Sequence, residues 1–418
     1  FTPSDEQKSA LQKMGDWRYS PEKVFRLIGP AGSGKSTVAQ PFIKHLLSLT
    51  LPPRIAVAAP YNKAANVQAK FLKGWGMESI PTFTCAQLFG IRRKVEGGIE
   101  TYRRDPEAYE HFRDYQLIVI DEISTIDENL WEFLMDAVHD GGMFGTRFIL
   151  MGDAAQLPPV NEAESMAFRY ECPSANLQEV QRYDGAIARL ADEVRLNLGA
   201  MEYPIIAHDV DADGKGVWVT SRADWEAYIK MAFTAESYRN DPETCRILAY
   251  TNARVNMLNV MVRNALGYSN QWAIGERIIA LSPYGMDMTT SAEATVKAIT
   301  EGSLSGWSCY FLSLDTGLMI PVPKEKTKYE AELKRLYEGK QFGAYWNLKE
   351  LFADVTYSYA LTVHRSQGST FKYVFIDVAN MPSPRKKERL HTGEVVRLRN
   401  QLFYVALTRA SHRAFIFN

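Results

Sequence analysis

Val24-Phe25-Arg26-Leu27-Ile28-Gly29-Pro30-Ala31-Gly32-Ser33-Gly34-Lys35-Ser36-Thr37 is the stretch that decides the fold. Five mostly apolar residues read as a strand, and the next eight match the phosphate-loop pattern GxxxxGK[ST] ahead of a helical run. Glycines at 29, 32 and 34 let successive backbone N–H groups converge on phosphate oxygens, and the helix start adds partial positive charge. Lys35 is expected to reach the β/γ-phosphates of ATP and Ser36 to ligate Mg²⁺, with Thr37 next to them. Strand, loop and helix in this order belong to an α/β domain with a parallel sheet. Pro41 is expected to kink the helix that follows.

Outward from this stretch, apolar strands at 55–59, 117–120 and 148–151 alternate with helical patterns, each ending in a turn-rich segment. In open α/β sheets such ends are where ligands bind. Asp121 and Glu122 close the strand at 117–120. Asp121 suits a Mg²⁺ held through water, and Glu122 suits polarising an attacking water. After the strand at 148–151 comes Gly152-Asp153-Ala154-Ala155-Gln156-Leu157-Pro158-Pro159, a rigid loop from which Gln156 could reach the γ-phosphate. The alternation breaks at 91–104, IRRKVEGGIETYRR, where two polar arms flank Gly97–Gly98 as in a tight β-hairpin.

The second half repeats the α/β pattern. A helix is expected at 186–196, with Ile187, Leu190 and Val194 on one face, then a strand at 246–250 and a helix at 253–266. Residues 275–353 change character, to short strands and a charged helical stretch at 324–336, as an inserted β module would. Strands return at 357–363, 373–377 and 414–417.

At 418 residues the chain has room for two to four domains. Its 46% hydrophobic and 23% charged content excludes disordered and collagen-like classes. No apolar run nears the ~20 residues that span a bilayer. The polar N-terminus lacks a signal-peptide core, and Phe1 in place of Met points to a start further upstream. Forty-eight basic residues oppose forty-nine acidic ones, so a nucleic-acid site must be a local groove in a balanced surface. Cys85, Cys172, Cys245 and Cys309 are far apart and away from the histidines, which argues against zinc or disulfides. A cytoplasmic protein is expected, in the host cytoplasm if phage-encoded.

GPAGSGKST, VIDEIS and GDAAQLPPV, in that order, resemble motifs I, II and III of superfamily 1 DNA helicases. LQEVQRYDGAIARLADEVR, YTNARVNMLN, YALTVHRSQGSTFKYV and LFYVALTRASHR resemble the motifs of the C-terminal half. The resemblance covers nearly the whole chain except 275–355 and is to the B branch, the RecD- and Dda-like enzymes, including phage helicases of similar length. It implies two RecA-like P-loop NTPase domains: 1–176 as the first, and 177–274 with 356–418 as the second. The first carries a hairpin insertion at about 84–113, whose tip (Val95, Glu96, Gly97, Gly98, Ile99) would be the strand-separating pin. The second carries an inserted SH3-like module at 275–355.

Residue by residue, the resemblance places Gln7 beside the adenine and sets Arg182 and Arg409 on the γ-phosphate. It assigns DNA contacts to Pro60, Asn62 and Lys63 (motif Ia), Thr84 (motif Ib), Asn252, and His364, Ser366 and Gln367 (motif V). There are two departures: Ala86 stands where this branch usually has His, and Arg365 where Lys is more usual. Tyr61, Phe83, Phe89 and Trp346 are candidates for stacking on bases. The expected activity is ATP-driven 5′→3′ movement on single-stranded DNA with unwinding of duplexes. Two alternatives stay open, an ATPase remodelling protein–DNA or RNA and a subunit of a recombination complex. Expected partners are single-stranded DNA and duplex junctions, with single-strand-binding or replisome proteins, no membrane, and a monomeric state.

Overall fold

Ile55–Ala59 and Leu117–Ile120 contain no polar side chain, so both strands need cover on two faces. A computed structural model describes residues 3–96, 99–178, 185–285 and 288–417. Contacts divide the chain into two units, Phe1–Arg222 with Ser366–Asn418, and Ala223–Arg365.

In the first unit the strands lie in the order Thr82–Thr84, Ile55–Ala59, Leu117–Ile120, Arg147–Gly152, Val24–Ile28, Ser174–Asn176, all parallel. Side-chain alternation splits the core in two. Phe25, Leu27, Val57, Val119 and Ile149 face the helices Asp5–Arg18 and Lys35–Leu47. Val24, Ala56, Ile118, Phe148 and Leu150 face the helix Glu128–Asp140. The order puts the phosphate-loop strand beside Arg147–Gly152 and that strand beside Leu117–Ile120, so the loops holding Lys35, Asp153 and Asp121 leave the same sheet edge as neighbours.

The helix Asp5–Arg18 has no strong apolar signature; it buries Ala10, Met14 and Trp17, spaced four and three apart. Lys35–Leu47 runs through Pro41 without a break. Phe42, Ile43 and Leu46 are buried beyond the proline, and their packing offsets the hydrogen bond its ring removes. The hairpin expected at 91–104 forms, with Ile91–Glu96 antiparallel to Ile99–Arg104 and Glu96 opposite Ile99; Gly97 and Gly98 lie outside the described residues. The same unit contains a second parallel group, Gly216–Thr220, Ala410–Phe417 and Phe371–Ile376. The helix Leu398–Leu407, buried from Asn400 onward, packs with the helix Ala186–Leu196.

In the second unit Cys245–Ala249 pairs in parallel with Ala360–Thr362, and the helix Asn252–Ala265 follows. The region expected as an inserted β module is an antiparallel sheet in the order Met319–Pro323, Trp307–Leu314, Glu293–Leu304, Arg277–Ala280, Val355–Tyr357. It closes over Ile278, Val296, Leu312 and Ile320. Among the described residues no helix is long and apolar enough to cross a membrane.

Buried charge is paired in this unit. Glu276, with no exposed surface, bonds the Arg263 guanidinium and accepts the Ala273 N–H at 3.0 Å. Arg246, also fully buried, meets Glu293 at 2.9 Å. Removing one member leaves the other charged in a low-dielectric interior. Glu276→Ala is therefore expected to destabilise the protein by about 3–5 kcal/mol. Chemical denaturation of wild type and variant checks it, and a loss within about 1 kcal/mol would contradict the pairing.

Candidate active site

The three neighbouring loops close a cavity of about 110 Å³. Gly32, Gly34, Lys35, Ser36, Thr37, Asp121, Glu122, Gln156 and Arg409 all line it, so residues spread over most of the sequence meet at one point. Gly32 and Gly34 have φ of 84° and 87°, the left-handed region that turns the loop's amides inward. Gly34 is also a close approach, since a Cβ there would lie 2.6 Å from Nε2 of Gln7.

Gln7 is 1% exposed. It shares a capping box with Ser4: its Oε1 accepts the Ser4 N–H at 3.1 Å, and the Ser4 hydroxyl accepts the Gln7 N–H at 3.4 Å. Its Nε2 is buried without a partner against the phosphate loop. Such a donor can serve a base bound there, since leaving it unpaired costs about 1–3 kcal/mol. Lys35 Nζ donates to the Gly29 and Pro30 carbonyls at 2.7 and 3.0 Å.

Asp121 accepts the Glu122 N–H at 2.8 Å and the side-chain amide of Gln68. Glu122 has φ 57° and ψ 40°, a left-handed backbone that few residues other than glycine adopt, at a cost of about 1–3 kcal/mol. Burial, reinforced by the Asp121 charge and opposed by Arg409 and Lys35, pushes its carboxyl up to about 7. A carboxylate balanced near neutrality can accept a proton from water and return it. Among the described residues Arg409, 5% exposed, donates to neutral acceptors only, the Val405 and Ser369 carbonyls at 3.1 and 3.2 Å and the Thr408 hydroxyl at 2.9 Å. Its charge is left for whatever enters the cavity. Gln156 is buried with its Oε1 unpaired, while its carbonyl accepts Gln401 Nε2 at 3.3 Å.

Sequence reasoning missed two residues that organise the site. Asp153 accepts hydrogen bonds from the Ala31 N–H (2.9 Å), the Ala155 N–H (3.0 Å) and the Tyr404 hydroxyl (2.6 Å). Its signal was present, as the Asp of the Gly-Asp that ends the strand. Gln68, on the helix Asn62–Gly74, had none. Arg182 lies outside the described residues.

The expected strand-binding residues divide between the units. In the first, Asn62 and Lys63 open the helix Asn62–Gly74 behind the buried Pro60, and Lys63 Nζ sits 5.9 Å from the Phe371 ring centroid. Gly368 lies against Ala64, which brings the segment of Ser366 and Gln367 to the same helix start. Ser366 and Gln367 are buried. Thr84 is also buried, and its hydroxyl caps a short helix by accepting the Gln87 N–H at 3.2 Å. In the second unit Asn252 is exposed at the start of its helix. His364 lies 6.2 Å from the Tyr250 ring, and burial pushes its pKa down. Of the stacking candidates, Phe89 is core, Phe83 packs on His111, and the Tyr61 hydroxyl is buried; Trp346 is 38% exposed.

A family model described as an AAA domain matches residues 2–203, and one described as a UvrD-like helicase C-terminal domain matches 357–417. The ATP-dependent DNA helicase dda of Enterobacteria phage T4 is 24% identical, over 93% of this chain and 92% of that protein. The ATP-dependent RecD2 DNA helicase of Deinococcus radiodurans is 24% identical, over 99% of this chain and 48% of its own length. Crystal structures of Pif1 helicase from Candida albicans and, with ADP-AlF3 and ssDNA, from Bacteroides each superpose with a TM-score of 0.52, at 16% and 17% identity. They cover 100% and 99% of this chain and 94% and 92% of theirs, and at such identity they share its fold.

The raised Glu122 carboxyl makes stability depend on pH. Between its ordinary value of 4.5 and about 7, the folded protein holds a proton that the unfolded chain releases, so this group's contribution to stability falls as pH rises through that window. Glu122→Gln removes the effect. Its melting temperature is expected to exceed that of wild type by at least about 2 °C at pH 8, with the gap closing toward pH 5. Calorimetry across that range checks the sign, and a gap that widens at low pH would contradict it.

Proposed function

Because the chain belongs to the Dda-, RecD- and Pif1-like B branch of superfamily 1 helicases, we infer that it hydrolyses ATP to travel along single-stranded DNA and unwind duplexes. The observation that carries this reading is the meeting of Lys35, Asp121, Glu122 and Arg409 around one cavity. The protein binds ATP, and the domain organisation that best accounts for its motion is two RecA-like domains, 1–176 and 177–274 with 356–418. The sheet module at 275–355 is taken as the SH3-like insertion.

In this mechanism the phosphate-loop amides and Lys35 hold the β- and γ-phosphates, while Gln7 receives the adenine. Glu122 orients the attacking water and takes its proton. Arg409, with Arg182, stabilises charge on the transferring phosphoryl group, a role worth roughly 10³–10⁵ in rate. Gln156 registers the γ-phosphate. Three carboxylates and two cations (Asp121, Glu122, Asp153; Lys35, Arg409) already share the cavity. A polyphosphate therefore brings excess negative charge, and Mg²⁺ fits that imbalance. Ser36 and Asp121 would hold it, and no group of three or more His, Cys, Asp or Glu able to do so occurs among the described residues, as suits a metal completed by phosphates and water. When bound, the ion neutralises phosphate charge.

Pro60, Asn62, Lys63, Thr84, Asn252, His364, Ser366 and Gln367 are proposed to grip the strand through its backbone, without reading bases. Movement is 5′→3′, and the hairpin tip at 95–99 is the proposed pin, its internally paired backbone suited to wedging between bases. We take the protein to act as a monomer in the cytoplasm, the host's if phage-encoded, alongside single-strand-binding and replisome proteins. Its four unpaired cysteines suit a reducing compartment.

Lys35→Ala is expected to lower ATP turnover by at least about 10²-fold with the fold intact. Glu122→Gln should lose hydrolysis but keep nucleotide binding. Nucleotide titration and circular dichroism alongside steady-state ATPase separate these cases; near-normal turnover in Lys35→Ala would remove the assignment. Shortening 95–99 should leave DNA-stimulated ATPase intact and cut unwinding of 5′-tailed duplexes by at least about tenfold, if splitting a base-pair step costs roughly 1.4 kcal/mol. Unwinding of 3′-tailed duplexes alone would reverse the polarity. Strand-stimulated ATPase without unwinding would favour a remodelling ATPase.

A further inference from the structure

The helix Phe342–Leu351 buries none of its residues, yet it carries Phe342, Tyr345 and Trp346. With Tyr337, from the end of the preceding helix Lys326–Glu338, these rings form a continuous array. Centroids lie 5.9 Å apart for Tyr337 and Phe342, 5.5 Å for Tyr337 and Tyr345, and 5.2 Å for Tyr345 and Trp346. Tyr337, Phe342 and Trp346 are 42%, 50% and 38% exposed. Packing does not explain them, because the sheet core closes without them and the first helix anchors through the buried Leu336 and through Tyr329 against Phe352. Exposed contiguous apolar surface of this kind marks an interaction site.

The charges around the array indicate what it binds. Lys326, Lys328, Lys334 and Arg335 each pair with a glutamate close by in sequence, and Lys324 pairs with Glu301. Two cations of the helical hairpin, Lys340 and Lys349, have no carboxylate within 4.0 Å among the described residues; Lys349 borders the rings, and Lys340 lies in the turn between Tyr337 and Phe342. Lys349 feels Asp354 only at longer range. Its Nζ stands 5.1 Å from the Trp346 centroid and 5.7 Å from that of Tyr345. Flat π-faces with a cation beside them and a second in the adjoining turn suit unstacked bases and their phosphates, a pairing that tolerates any sequence. A duplex offers no open base faces, and an acidic peptide would use the lysines but not the rings.

We propose that the helical hairpin 326–351 is an accessory site for single-stranded nucleic acid, stacking bases on Phe342 and Trp346 while Lys340 and Lys349 take phosphates. None of these residues belongs to the proposed motor grip. The proposal rests on the DNA-translocase reading and adds a second strand contact to it, so long strands should be held more tightly than short ones.

Fluorescence anisotropy with labelled single strands of about 8 and about 30 nucleotides tests this in the full chain. Phe342→Ala with Trp346→Ala should weaken binding of the long strand by about tenfold or more, the size of a lost base stack, and leave the short strand and its stimulation of ATPase unchanged. Lys340→Gln with Lys349→Gln should weaken the long strand too and flatten its salt dependence by about 0.7 per lost phosphate contact. Unchanged long-strand affinity in the aromatic variant overturns the accessory site, as does equal weakening at both lengths. A wild-type dimer in sedimentation that the aromatic variant loses would assign the face to a second copy and overturn it as well. Failure of short strands to stimulate the wild-type ATPase is a different result, which overturns the motor reading underneath.

Discussion

The buried Asp153 side chain accepts hydrogen bonds from three donors: the Ala31 and Ala155 amides and the Tyr404 hydroxyl. Hydrogen bonds to a charged group are worth about 1.5–3 kcal/mol each. Each donor belongs to a different part of the site. Ala31 is in the phosphate loop, Ala155 is in the loop carrying Gln156, and Tyr404 is on the helix Leu398–Leu407, which Arg409 follows two residues on. The carboxylate thus sets the phosphate loop, the loop of Gln156 and the helix leading to Arg409 in one register. The Tyr404 hydroxyl, kept protonated by burial and by Asp153, is locked as a donor.

The two units handle buried charge in opposite ways. Glu276 and Glu293 are matched by Arg263 and Arg246, and their pairing organises the packing around the β module. Around the phosphate cavity the charges are mismatched among the described residues: Glu122 sits near neutrality, Arg409 donates to neutral groups only, and the Gln7 and Gln156 side chains each keep an unpaired buried atom. Charge and hydrogen-bonding capacity left unspent in this way cost stability and are what a ligand can use.

The parallel sheet around the phosphate loop was legible because its strands are short apolar runs punctuated by glycine, proline and acidic residues. Asp121 and Glu122 could be picked out because they directly follow a strand, and Lys35 and Gln156 because each sits in a loop pattern fixed by glycine or proline. The helix Asp5–Arg18 was not legible, as only four of its positions are buried, one of them Gln7, and its polar residues look like any solvated stretch. Nor was Gln68, whose role depends on where a helix lies over a neighbouring strand, a tertiary fact with no local pattern. Thr84 shows the converse. Its local sequence suits both a strand contact and a capping box, and its hydroxyl is committed to the cap.

The amide of Gln68 on Asp121 gives the helix Asn62–Gly74 a mechanical character. Asn62 and Gln68 are six residues apart, about 9 Å along a rigid helical axis. The start of that rod presents Asn62 and Lys63, and its middle, at Gln68, grips the carboxylate beside Glu122. Tension applied at the first is delivered to the second as a displacement, with no flexible joint between them to absorb it. Because the span is helical and unbroken, the helix start and the amide that holds Asp121 keep one fixed spacing, and neither can shift along the axis without the other.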